Sequence, residues 1–334
     1  MYALNERVGS LIKAAHGSAG LQHVTRKVFE STLIPLPPFE EQKRIVAKIS
    51  ILMPIIQQYS ETYSCIEELN NYFPDRLKKS ILQEAVQGKL VPQDPSDEPA
   101  SVLLERIRAE KERLIQEGKI KRNRHESVIY RRDNSHYEKR GSEEVCIDEE
   151  LPFEIPDNWE WVKLSDLTQF IGGYAYKSEA FIEKSEYQVL RLGNVKNDEI
   201  RYSVKPVFIP KELAEKTADF RCKPNDILLT MTGTRLKRDY FYTAVVSNKD
   251  TNYFVNQRVG CLRGYHPKIY KWLIWVLKSE GILSQVFKYE TGTANQGNLG
   301  SENIMKTLIP LPPLDEQNRI YNMIECLLKE TRAL

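Results

Sequence analysis

The 334-residue chain carries no G-x-x-x-x-G-K-[ST] phosphate loop. The nearest approach, GGYAYKS at Gly172–Ser178, puts Tyr176 where the backbone needs glycine to wrap a phosphate, so no nucleotide cradle is implied. His-Glu-x-x-His is missing and the five histidines are unclustered, which argues against a zinc hydrolase. There is no Asn-Pro-Pro-aromatic segment of the kind an amino-methyltransferase needs to hold a flipped base. No glycine fingerprint for a dinucleotide or for S-adenosylmethionine is present, and the one Gly-Gly pair, Gly172-Gly173, reads as a turn. The five cysteines (Cys65, Cys146, Cys222, Cys261 and Cys326) are odd in number and form no Cys-x-x-Cys pair. A disulfide framework or metal site is therefore not expected, and a reducing compartment fits. No run of 18 apolar residues and no signal-peptide pattern occurs, so a soluble, cytoplasmic chain without membrane contact is expected.

Charge of one sign is also lacking overall, since the net charge is only +2. Its distribution says more. Residues 151–186 hold 3 Lys/Arg and 7 Asp/Glu, whereas residues 187–278 hold 17 and 8. A basic segment of that kind suits a polyanion-binding face, with a solvated basic surface as the alternative.

What the chain does have is an internal duplication. Residues 33–45 (LIPLPPFEEQKRI) and 308–320 (LIPLPPLDEQNRI) agree at ten of thirteen positions, 275 residues apart. Upstream the register holds without a gap: Lys13 aligns with Lys288, Gly17 with Gly292, Ala19 with Ala294 and Thr32 with Thr307. That period is far too long for a solenoid, whose units span a few tens of residues. It reads as two connectors at the ends of two large domains. One of these domains lies complete between the copies, and the other is represented by a 32-residue tail, 1–32.

After the prolines of each copy a helix is predicted. Ile45, Ile49, Leu52, Ile56, Tyr59, Tyr63, Ile66, Asn70 and Phe73 follow at alternating spacings of 4 and 3. This is a heptad seam, either a coiled-coil arm or one face of an ordinary amphipathic helix. Pro54 is expected to kink this helix without ending it. The second copy repeats the seam as Ile320, Ile324, Leu327, Thr331 and Leu334. Pro74 can open a further helix with Leu77, Ile81, Leu82 and Ala85 on one face, closed by Gly88. Ser101 can cap another helix that ends near Gly118. Residues 119–140, with eight Lys/Arg and three Asp/Glu, read as an exposed linker or as a phosphate-contacting arm.

From Leu151 aromatic residues accumulate and strand-like runs follow: QVLRLG (188–193), DILLTM (226–231), FYTAVV (241–246) and FVNQRVGCLR (254–263). Pro267 opens an apolar helix. The prediction is an α+β domain over 151–307. Three polar clusters stand out in it. TMTGTRLKR (230–238) supplies Thr232, Thr234, Arg235, Lys237 and Arg238 after a buried-looking strand. Asn256, Gln257 and Arg258 form a cluster within a strand. TGTANQGN (291–298) supplies Thr293, Asn295 and Gln296. Lys177, Asn194 and Lys196 complete the candidate set. Arginine reads guanine and Asn or Gln reads adenine through paired hydrogen bonds, while Lys and Thr more often hold phosphates.

The two connectors strongly resemble those of the specificity subunit of type I restriction–modification enzymes. SILQEAVQGKLVPQDPSDEPASVLLERI (80–107) is similar to that family's central conserved region. LPFEIPDNWEWVKLSDL (151–167) resembles the segment leading into its target-recognition domain, and NDILLTMTGT (225–234) resembles a strand and loop of that domain, with Asn225 where glycine is usual. The resemblance implies an α+β fold in which a target-recognition domain is joined to long conserved helices that form an antiparallel coiled-coil rod. The segments would be a tail of a first recognition domain (1–32), a conserved helical region and basic linker (33–150), a recognition domain (151–307) and the start of a second conserved helix (308–334). It also implies double-stranded DNA as ligand, with each recognition domain reading half of a split site. Modification subunits would dock on the rod and restriction subunits would join indirectly. S-adenosylmethionine, ATP and Mg would be held only by those partner subunits, and this subunit itself would catalyse nothing. Where the family pattern has two recognition domains, this chain has one complete one. Either a second chain, in a homodimer for example, would then supply the other half, or the chain is an inactive variable cassette or a truncated product. An adaptor that binds modification subunits without reading DNA is the alternative.

Overall fold

The computed structural model describes residues 5–18, 21–122, 126–247, 252–293 and 295–331, so Leu334 and Ala294 lie outside the described residues. The chain divides into two compact units, Met1–Tyr72 and Phe73–Leu334. The first unit begins with helix α1 (Val8–Lys13), a hairpin of β1 (His16–Ser18) and β2 (Leu21–His23), and a short helix α2 (Arg26–Glu30). Thr25 caps α2 by accepting from the Val28 amide at 3.4 Å. The proline stretch then leads into helix α3 (Phe39–Val86). Its 48 residues correspond to ~70 Å at 1.5 Å per residue. Glu40 and Glu41 sit in its first turn, where a negative charge complements the helix dipole.

Helix α3 corrects the expected segmentation. It runs without interruption through both Pro54 and Pro74, so the two predicted helices are one. Each proline removes a single backbone hydrogen bond, and the flanking turns hold the helical path. Gly88 ends it as predicted: at φ +70 it lets the Lys89 amide reach Glu84 O at 2.9 Å. A Cβ there would lie 2.4 Å from Pro156 Cγ.

In the second unit the last turns of α3 and helix α4 (Ala100–Gln116) pack into the main core, burying Ile81, Leu82, Ala85, Leu103, Leu104 and Ile107. The expected boundary at 150/151 therefore does not divide the chain, and the division falls at Tyr72/Phe73. Helix α4 starts at Ala100 after Pro99, so Ser101 is not its cap. The predicted linker 119–140 is largely ordered as sheet. Strands β3 (Val128–Arg132), β4 (Ser135–Arg140) and β5 (Glu143–Cys146) pair antiparallel. Ile129 anchors the sheet by pointing into a small core with Ile147, Trp161 and Leu308, while Val128, Arg131 and Arg132 are exposed.

The domain then continues with β6 (Glu160–Lys163), α5 (Leu164–Leu167), β7 (Thr168–Gly172), β8 (Tyr187–Leu190), β9 (Val195–Lys196), β10 (Glu199–Ile200), β11 (Phe208–Ile209) and α6 (Lys211–Lys216). Strands β12 (Ile227–Thr230), β13 (Thr232–Gly233), β14 (Thr243–Val245), β15 (Tyr253–Val255) and β16 (Val259–Gly264) follow, and then helices α7 (Tyr270–Val276) and α8 (Glu280–Lys288). Strands β17 (Thr291–Thr293) and β18 (Gln296–Asn298), helix α9 (Ser301–Met305), β19 (Leu308–Leu311) and helix α10 (Leu314–Thr331) complete it. The central sheet is antiparallel in the order β14-β12-β16-β7, a second sheet runs β11-β8-β15, and a third runs β13-β18-β17. Strand β12 is buried along its whole length, as its Ile-Leu-Leu run predicts. Trp272 of α7 meets Trp159 edge-on at 5.6 Å in the main core. Among the described residues no helix is long and apolar enough to cross a membrane.

Glu138 of β4 ties the small sheet to β6 through a buried pair with Lys163, whose Nζ also donates to Ser127 Oγ at 2.8 Å. Burial alone would raise the Glu138 carboxyl, but hydrogen bonds from Arg140, Lys163 and Ser127 outweigh it and hold the group down at about 2. A depressed folded value means that this group stabilises the fold above the ordinary value near 4.5, and that the contribution disappears as pH falls toward 2. In acid-unfolding curves Glu138→Gln is expected to flatten the loss of stability over that window. A variant curve parallel to the wild type would show the pair to be inert.

The duplication is structural as well as sequential. Displaced by 275 residues, β1 and β2 become β17 and β18, α2 becomes α9, and the first residue of α3 becomes that of α10. Within each connector the same bond recurs. Gln42 Nε2 donates to Pro37 O and Gln317 Nε2 to Pro312 O, both at 2.8 Å. The surroundings differ. In the second copy Trp272 Nε1 donates to Pro310 O (2.7 Å), Trp159 Nε1 donates to Glu316 (2.9 Å), and Arg319 pairs with Asp97 (3.0 Å). In the first copy Glu41 and Arg44 have no such partner among the described residues. Leu311 is fully buried, whereas its counterpart Leu36 is 85% exposed.

The two seams fare differently for the same reason. Ile320 and Ile324 are fully buried and Leu327 is partly so, but they pack on α7 within their own unit. Ile45, Leu52, Ile56, Tyr59, Tyr63, Ile66 and Phe73 are all 40–70% exposed, and Ile49 is half-buried.

Candidate nucleic-acid interface

The three polar clusters, far apart in sequence, meet around one backbone position. The Met231 amide donates to Arg258 O at 3.1 Å, and Met231 O accepts from the Leu299 amide at 2.9 Å. Thr232 and Gly233 pair with Asn298 and Gly297 across β13 and β18, and β18 pairs with β17. Met231, Thr232, Gln257, Arg258, Thr293, Gln296 and Asn298 line a cleft of about 440 Å³. Gln257, Arg258, Thr293, Asn295 and Gln296 are exposed. The Thr232 hydroxyl lies buried at this cleft with no hydrogen-bond partner among the described residues.

The predicted strand 254–263 is broken. Asn256–Arg258 form the turn between β15 and β16 rather than part of a strand. The two strands belong to different sheets: β15 runs parallel to β8, while β16 joins the central antiparallel sheet. Changing sheets needs a corner, and the three polar residues occupy it. Gly173 lets a neighbouring segment close on this corner, since a Cβ there would lie 1.9 Å from Asn256 O. Gly173→Ala is expected to force the corner open and to destabilise the domain by roughly 1–3 kcal/mol, as overpacking does. Denaturant melts check this, and an unchanged midpoint would show that the corner yields freely.

After β13 the chain forms a cationic loop. The Thr234 amide donates to Asp239 Oδ1 at 2.6 Å and its hydroxyl to Oδ2 at 3.2 Å, closing the loop at its base. That amide bond holds the Asp239 carboxyl below its ordinary value. The Arg238 guanidinium lies 5.1 Å from the Phe287 ring centroid. Arg235 Nε is 3.4 Å from Glu290, and the same carboxylate accepts from the Tyr240 hydroxyl. Lys237 and Arg258 are exposed and have no ion-pair partner among the described residues.

Other members of the candidate set fall outside this cluster. Asn194 is buried, a correction to its predicted DNA contact. Its amide donates to Arg201 O (2.8 Å) and Val204 O (2.9 Å), and its oxygen accepts from the Arg191 amide (2.9 Å). Its hydrogen-bonding capacity is spent on local chain geometry. Lys196 lies over the Tyr242 ring at 4.6 Å, and Lys177 is exposed before a short turn. Part of the basic surplus is internal: Arg263 is paired with buried Asp226 (2.7 Å), and Lys278 is paired with Asp198. Sequence reasoning missed Asp239, Glu290 and Tyr240, which shape the loop. The Thr-x4-Asp spacing was a usable signal for the first, whereas Glu290 lies fifty positions from Tyr240. Among the described residues no group of three His, Cys, Asp or Glu could hold a metal ion.

The sequence profile described as type I restriction modification DNA specificity domain matches residues 156–334. The Type I restriction enzyme EcoAI specificity subunit of Escherichia coli is 30% identical over 95% of this chain and 57% of its own length. The EcoEI specificity subunit of the same organism is 29% identical over 94% and 56%. The chain thus spans little more than half the length of these relatives. A solved structure titled as the basis of assembly and conformational transition of the type I R-M system covers 99% of this chain and 62% of its own, with a TM-score of 0.50 at 17% identity. At that identity the likeness concerns the fold.

Proposed function

The chain belongs to the type I restriction modification DNA specificity family, and from that premise we propose that it reads one half of a bipartite site on double-stranded DNA and docks modification subunits. The observation that supports this reading is the convergence of three polar segments on Met231, forming a cleft of hydrogen-bonding side chains beside a cationic loop. Gln257, Arg258, Thr293, Asn295 and Gln296 are the residues suited to base edges, and Lys237 and Arg238 to phosphates. In this reading the chain transfers no methyl group and cuts no bond itself. S-adenosylmethionine, ATP and Mg are held by partner subunits, with restriction subunits joining indirectly, in the cytoplasm where the DNA is.

The bare first connector supports a second docking event. Glu41 and Arg44 present the groups that Trp159 and Asp97 engage in the second copy, so the complementary partner is a second recognition domain offering an indole N–H and a carboxylate in the same register. That partner supplies the other half-site. The helix seam Ile45–Phe73 is left for modification subunits or for a second copy of the chain. An adaptor role without DNA reading shares the seam but leaves the polar cleft unexplained.

The decisive experiment is methylation sequencing of random-sequence DNA exposed to the chain together with its modification subunit. One enriched half-site motif is expected, and it should change at a single position on Arg258→Ala, at a cost of roughly 1–3 kcal/mol for the lost base contact. Methylation without sequence preference, in a complex that still assembles, would favour the adaptor.

A further inference from the structure

Leu236 stands at the crest of the cationic loop and is 86% exposed. A single exposed leucine is ordinary on a protein surface. This one differs in its setting. It is flanked in sequence by Arg235 on one side and by Lys237 and Arg238 on the other, so a polyanion that approached the cations would meet the leucine between them. The turn that carries it is also braced by hydrogen bonds. Asp239 clasps Thr234 at the base, the Arg238 amide donates to Arg235 O at 3.3 Å, and Arg238 adopts the left-handed φ of 46°. The flanks are held from behind by Phe287 under Arg238 and Glu290 beside Arg235. The loop grows directly out of β13, whose Thr232 lines the polar cleft.

We propose that Leu236 is an apolar wedge that enters a base-pair step of the bound duplex, partly unstacking it, while Lys237 and Arg238 hold the flanking phosphates. The proposal rests on the DNA-reading function above. Proteins that kink DNA use apolar side chains in this way, recovering the unstacking cost through the extra contacts that the bent duplex makes. A wedge must not fold back under load, and the Asp239 clasp meets that requirement. Specificity follows too. Pyrimidine–purine steps unstack most easily, so the step under Leu236 should be one of these, without a hydrogen bond that reads it.

The test uses the full chain with duplexes of its own methylated site, carrying 2-aminopurine at successive positions. Leaving out the modification subunit removes any signal from a flipped target base. At saturating protein the wild type should brighten one step several-fold. Leu236→Ala should abolish that signal and weaken binding roughly tenfold. Leu236→Phe should restore it, and Lys237→Ala should weaken binding while leaving the saturated signal intact. Because Leu236 is exposed, its replacement does not threaten the fold. Equal signals from wild type and Leu236→Ala, with DNA still bound, would overturn the wedge and leave the DNA reading standing. Loss of modification-subunit binding in Leu236→Ala with an unchanged signal would also overturn it, assigning the leucine to a protein pocket. No binding of any duplex by the wild-type chain would overturn both.

Discussion

Replacing Arg235, Lys237 and Arg238 together by alanine is expected to weaken binding to duplex DNA and to flatten its salt dependence. Each phosphate contact releases about 0.9 of a condensed counterion, so two or three lost contacts should lower the slope of log K against log salt by about 2–3. The lower figure follows if Arg235 stays committed to Glu290, 3.4 Å away, when DNA is bound. The upper figure follows if DNA draws it off that carboxylate. The loss should be nearly the same on cognate and unrelated duplexes, because phosphates carry no sequence information. The fold should survive, since all three side chains are exposed and the Thr234–Asp239 clasp remains. Titrations at several salt concentrations measure both quantities. An unchanged affinity and slope in a folded triple variant would remove this loop from the interface.

The second large effect concerns the helix seam. Ile56→Asp combined with Ile66→Asp is expected to abolish assembly with partner subunits without destabilising this chain. Both residues are at least half exposed, so no intrachain packing is lost. Covering such a side chain contributes roughly 1.5–3 kcal/mol, so two buried carboxylates in its place should weaken association by about a hundredfold or more. Co-purification with a modification subunit, and light scattering of the chain alone, read the result. The thermal melt of the full-length double variant serves as the folding control. Retained assembly in the double variant would mean that the seam faces solvent in the complex, and the partner would have to be sought at the bare connector around Leu36 and Glu41. The two outcomes are separable because the seam and the connector carry different chemistry, one apolar and the other apolar with a carboxylate and a guanidinium.

Much of this protein was legible in one dimension. The 275-residue repeat was visible in LIPLPP and its flanks, and the paired hairpins and helices at the same displacement follow from it, because similar local sequences select similar local backbone. Four strand-like runs located β8, β12, β14 and the β15–β16 region. The heptad spacing located the long helix, and Gly88 its end. The polar clusters were identifiable because Thr, Arg, Asn and Gln concentrated in turns suit hydrogen bonding outward.

Tertiary structure decided the rest. Whether a heptad position is buried depends on what lies opposite, so Ile320 and its counterpart Ile45 share a pattern but not an environment. Pro74 looked like a helix start because local rules weigh the missing N–H, whereas the packed turn from Leu77 to Val86 draws the helix through it. The basic stretch after Gly118 became a sheet through one inward residue, Ile129, and a buried ion pair between Glu138 and Lys163, twenty-five positions apart. Asn194 was indistinguishable in sequence from Gln257, and only the chain's path around it shows that its amide is already used. The same holds for the site as a whole. Composition named three polar segments, but their meeting at Met231 depends on long-range strand pairing, which no local pattern encodes.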